Sequence, residues 1–144
     1  MAFFNRSRAR QIPPAAPADP ALARFHRGME VTNAQPPGDL GLSMSAAQVT
    51  SEARQMRQQF EAGQLREVWA RRLQLGNGVS FDGVDDADAF WLNAAPAIAA
   101  LRLGQKDHIF VPMCCGLAER YHDSRDADQS AAVREFKERF FGGS

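Results

Sequence analysis

Residues 45–60 read SAAQVTSEARQMRQQF, and the spacing of their apolar members decides the fold class. Val49, Ala53, Met56 and Phe60 recur at steps of four, three and four, which lines them along one side of an α-helix. Ser45 and Gln48 fit a capping box, in which the hydroxyl accepts from the N3 amide while the Gln side chain reaches back to the cap. Met44 stands where it can staple onto Val49. Glu52, Gln55 and Gln59 fall on the opposite face and belong in water. The stripe resumes after Gly63 with Leu65, Val68, Trp69, Arg72 and Leu73, while Arg66 and Arg71 point outward. One long helix over residues 45–75 is expected, bent or broken at Gly63 and stopped by Gly76-Asn77-Gly78.

Toward the C-terminus the same period returns. Residues 79–84 read as a connector, and Asp85 or Asp86 can cap the next helix while Asp88 favours its positive end. Ala87, Phe90, Trp91, Ala94, Ile98 and Leu101 mark its buried side. Pro96 interrupts that pattern, so either two helices meet there or one helix kinks. Beyond Asp107, Pro112 sets a choice between a brief extended piece and a helix that takes proline in its early turns; helix from about 112 to Tyr121 is favoured. A last helix starts near Asp126 or Asp128 and ends at Phe141, with Val133, Phe136, the Lys137 stem and Phe140 as its stripe. The expectation is all-α: a small bundle of four or five helices in residues 44–144.

Toward the N-terminus the character changes. Six of the eight prolines fall in the first forty residues, where no helical or strand period exists. Pro13, Pro14, Pro17 and Pro20 fix φ and delete backbone donors, and Pro36-Pro37-Gly38 breaks the chain again after a short helical candidate at 21–29. Residues 1–43 are therefore expected to form a long irregular Pro-rich arm. It is either a disordered terminus or a segment ordered by wrapping a partner. In the second case Phe3, Phe4, Leu22 and Phe25 are its anchors, with Arg6, Arg8 and Arg10 alongside.

Composition narrows the functional classes. The 17 basic and 17 acidic side chains balance, so no net field draws the whole protein to nucleic acid or anionic lipid. Residues 1–30 nevertheless hold five arginines against two acids, and residues 82–88 hold four acids and no base. The two cysteines, Cys114 and Cys115, are adjacent and cannot readily bridge, which suits reduced thiols in a cytoplasmic setting. No apolar run has the length of a signal peptide or a membrane span.

Candidate chemistry is thin. Cys114, Cys115, His108 and His122 lack the CxxC or HxxxH spacing of a structural metal site. A cysteine nucleophile with a histidine base would need an orienting group and an oxyanion hole that the sequence does not mark. The acidic stretches 82–88 and 123–128 do not place ligands as a calcium loop does, and both precede helices that they can cap. Arg54, Arg57, Arg66, Arg71 and Arg72 are interspersed with acids, so nucleic acid is not expected as a partner. No cofactor is expected. The reading is a non-enzymatic interaction or assembly component, such as an adaptor or an accessory subunit of a phage-like or secretion particle. It would sit in the cytoplasm or in a particle assembled there. Contacts would come from the arm residues named above and from Phe140 and Phe141. Two alternatives stand beside it. One is a small enzyme or ligand-binding protein with a pocket near Trp91, His108, Cys114 and Tyr121; the other is an inhibitor or immunity-type regulator using the acidic patch.

Overall fold

Ser45 begins the first helix as the capping box requires: its Oγ accepts from Gln48 N at 3.2 Å, and its own N–H donates to Gln48 Oε1 at 2.7 Å. The computed structural model describes residues 38–142, and among these it forms an all-α bundle. Its five helices are α1 (Ala46–Glu61), α2 (Leu65–Leu75), α3 (Asp86–Arg102), α4 (Phe110–Arg120) and α5 (Ala127–Phe141). The apolar stripe of residues 49–73 is split between α1 and α2, because Gly63 takes φ +79° and turns the chain where a continuous helix would run on.

The core is organised around α3. Every residue from Ala89 to Leu101 is buried, and α1, α2, α4 and α5 all pack against this helix. A helix buried on all sides needs small side chains where neighbours approach closely, and Ala94, Ala95, Ala97, Ala99 and Ala100 supply them. Pro96 lies inside one unbroken helix, so the two-helix alternative is not adopted. Proline removes the N–H that would meet the Leu92 carbonyl, and the surrounding packing carries the helix through that loss. Asp85 caps α3 without a side-chain bond, whereas Asp126 Oδ1 accepts from Gln129 N at 3.0 Å to start α5.

Helix α4 begins at Phe110, two residues before Pro112, whose missing N–H falls in the first turn where no partner is required. Residues 38–43 lie against the end of α2. Gly38 N donates to Leu73 O at 3.0 Å, and Leu40–Ser43 form a single 3-10 turn with Gly41 buried beside Leu75 and Val79. The bundle is laced by ion pairs between helices: Arg71 with Glu52 (2.6 Å), Arg54 with Asp88 (3.3 Å), Arg102 with Glu135 (2.7 Å) and Lys137 with Glu119 (3.4 Å). These pairs are solvated, and each contributes at most about 1 kcal/mol.

Candidate functional site

Among the described residues, three places concentrate the aromatic and cationic side chains. The first is the end of α5. Val133 and Phe136 continue the core, with Phe136 only 1% exposed. Phe140, one helical turn further on, is half-buried, so the buried stripe runs off the end of the bundle. Phe141 is 74% exposed and meets Phe140 edge to face, with ring centroids 4.9 Å apart. Of the residues named from sequence as partner contacts, Phe140 and Phe141 are thus brought together. Phe3, Phe4, Arg6, Arg8, Arg10, Leu22 and Phe25 lie outside the described residues.

The second place is an open groove of about 280 Å³ between α1, α3 and α5. Phe60, Trp91 and Ile98 contribute its apolar lining. Arg57 lies over the Trp91 ring at 4.6 Å and Arg102 over the Phe60 ring at 5.2 Å, both at cation–π distance. Arg57 also reaches Glu61 (3.3 Å) and Asp128 (3.6 Å). Arg102 binds both Glu135 oxygens, at 2.7 and 2.8 Å, and Arg139 adds a bond of 2.8 Å to the same carboxylate. The Arg102 bond holds the Glu135 carboxyl below the usual range against the opposing effect of burial, with Arg139 helping. Sequence periodicity places Trp91 on a buried face but does not disclose this groove, because its walls come from helices distant in the chain.

The third place is buried between α2, α3 and α4. Arg72 is 1% exposed. Its Nη1 donates to the Gly76 carbonyl at 2.6 Å and its Nη2 to Asn93 Oδ1 at 3.0 Å, while Asn93 Nδ2 donates back to Ala89 O at 2.9 Å. Its guanidinium lies 5.1 Å from the Phe110 ring. Among the described residues no acid is buried and none pairs with Arg72. Burial accordingly depresses its proton affinity, with Cys114 acting in the other direction. His108 packs edge-on to Trp69 at 5.2 Å, and its Nδ1 accepts from Phe110 N at 3.0 Å. His108 Nε2, Trp69 Nε1 and Arg72 Nε are buried without partners.

The cysteines belong to this interior. Cys114 is fully buried, and burial pushes its thiol up despite Arg72. Cys115 is pushed up to about 12 by burial, then by Cys114 and Glu119, so both thiols are protonated near neutral pH. Neither nitrogen of His108 bonds a sulfur, since one takes the Phe110 amide and the other has no partner. Of the residues of the conjectured pocket, His108 and Cys114 lie in this interior, beside Trp69 and Arg72 respectively, whereas Trp91 neighbours Arg57 and Tyr121 neighbours Phe81. The acidic stretches contribute ion pairs, Asp88 with Arg54 and Asp123 with Arg125. Among the described residues no group of His, Cys, Asp and Glu is arranged to hold a metal ion, and no helix is long and apolar enough to cross a membrane.

No protein-family model matches this chain, and no curated protein or solved structure shows significant similarity to it.

Proposed function

We propose that this protein is a non-enzymatic interaction component, an adaptor or accessory subunit that joins a larger assembly through the aromatic end of α5. The observation that carries the reading is Phe141, 74% exposed and edge to face with the half-buried Phe140 at the end of α5. Burying such a ring against a partner contributes about 1.5–3 kcal/mol, which is roughly ten- to a hundredfold in affinity. Aromatic and arginine side chains are the usual anchors of interfaces. On that ground Phe3, Phe4, Leu22 and Phe25, with Arg6, Arg8 and Arg10, are assigned to the same partner. A cytoplasmic assembly, phage-like or secretory, is the setting in which this chemistry is proposed to operate.

A photo-crosslinking amino acid at position 141 of the full chain, irradiated in native extract, tests the reading. A crosslinker at Gln55, exposed on α1, is the control. One discrete adduct from position 141, absent at position 55, is expected. Phe141→Ser should weaken co-purification of that partner about tenfold or more without changing the helical circular dichroism. Identical adduct patterns from the two positions would remove α5 from the interface.

A further inference from the structure

The least satisfied part of the interior is also the part nearest the start of α4. His108 is 4% exposed and ends the turn between α3 and α4. Phe110 is the first residue of α4, so its N–H is one of the helix-start donors that need a partner from outside the helix. His108 Nδ1 provides it at 3.0 Å, which fixes the neutral tautomer with the proton on Nε2. That Nε2–H has no acceptor.

We infer that His108 is an acid-sensitive latch: protonation of its ring breaks the bond to Phe110 N–H and loosens the start of α4 from α2. An imidazolium carries a proton on Nδ1 as well, so the two donors would face each other. No carboxylate is bonded to the ring to receive the added proton's charge. From α2, the Trp69 ring stands at 85° to His108 with centroids 5.2 Å apart, and Arg72 adds a second cation beneath the Phe110 ring that Trp69 also meets. From α4 comes the Phe110 amide that the ring accepts from. The charged side chains of α3 are exposed or engaged elsewhere, Asp88 with Arg54 and Arg102 with Glu135. Lys106 and Asp107 on the same turn make no bond to the ring.

The sign of the effect follows. Burial lowers the proton affinity of His108 in the closed state. In the loosened state the ring titrates near its ordinary value of about 6.5, so below that pH the loosened state binds more protons. The closed state is at full strength above pH about 6.5 and loses up to about tenfold in its equilibrium constant for each pH unit below it. Carboxylates titrate lower, with Glu135 held below their usual range, which leaves pH 7.5 to 5 as a window for histidine.

The experiment follows urea unfolding of the full chain across that window. His108→Asn keeps an acceptor at the δ1 position and removes the titration. It should flatten the acid loss, whatever its stability at pH 7.5. A variant with both other histidines replaced, His26→Gln with His122→Gln, should keep the loss. In parallel, NMR of the wild-type protein should show the His108 ring titrating below 6.5 and the Phe110 amide losing exchange protection together with it. The latch is overturned if His108→Asn loses stability with acid as the wild type does. If His108→Asn fails to fold, the wild-type NMR decides: a ring that titrates at or above 6.5 with the Phe110 amide still protected overturns it as well.

Discussion

The same pairing, an arginine against an aromatic ring, occurs on two sides of α3 and has opposite surroundings on each. Between α2 and α4, Arg72 lies beneath Phe110 with no carboxylate, and its two hydrogen bonds go to Gly76 and Asn93. Along the groove, Arg57 and Arg102 cover Trp91 and Phe60, and both have carboxylates at hand. A desolvated cation without spare partners cannot exchange its bonds, because each one lost leaves a buried polar atom unpaired. A rim arginine with water and two acids nearby can move aside at little cost. Near neutral pH, with His108 unprotonated, the α2–α4 side is therefore where this fold is fixed, and the α1–α5 side is where it can adapt to another molecule.

The sharpest way to break that contrast is to empty the fixed side. Trp69→Ala removes a ring that is 0% exposed and packed on His108 and Phe110, and should cost about 3–5 kcal/mol in urea unfolding. A loss below about 1 kcal/mol would mean that the region collapses freely and is not rigid. Gly76→Ala should cost about 3 kcal/mol. At φ 76° and ψ −166° the residue occupies a region open essentially to glycine, and an added Cβ would run into the Gly38 carbonyl. A smaller change is Arg72→Lys, which keeps the charge but cannot span Gly76 O and Asn93 Oδ1 together; about 2 kcal/mol is expected. If lysine proves neutral, the charge and not the two bonds holds α2 to α3.

How far these differences were legible in sequence depends on the distance over which each is encoded. Helix existence is local: the stripe Val49, Ala53, Met56, Phe60 and the box at Ser45 and Gln48 specify α1 without reference to any other segment. Pro112 is compatible with a helix start, and the helix begins two residues earlier, where the His108 ring supplies the Phe110 amide with an acceptor; that bond spans only two residues but depends on a ring orientation that periodicity does not encode. Pro96 leaves two readings open for a different, tertiary reason: the packing that carries α3 through it comes from four other helices. Residues 38–43 look irregular by their proline and glycine content, yet Gly38 and Gly41 are the residues small enough to lie on α2. Arg72 sits on an apolar stripe in the sequence, which was the available sign that it is buried; that its partners are Gly76 and Asn93 is not encoded locally. The groove is the least legible feature, because Phe60, Trp91 and Glu135 meet only in three dimensions.

The smallest expected effects belong to the adaptable side and sharpen the contrast through their dependence on salt and acid. Arg102→Ala should cost less than about 1 kcal/mol, because both partners of the pair are partly solvated, and about half of that should vanish in 0.5 M salt. Glu135 carries the matching pH signature. Its folded-state carboxyl is held below the ordinary range, so its contribution is present above the unfolded value of about 4.3 and disappears as pH falls through the lower folded value. Glu135→Gln should therefore match the wild type more closely at pH 3 than at pH 6 in thermal melts. The salt response of Arg102→Ala must exceed that of Arg72→Lys, because only the groove pair is open to screening ions. Equal responses would place both arginines in the same environment and dissolve the distinction between the two faces of α3.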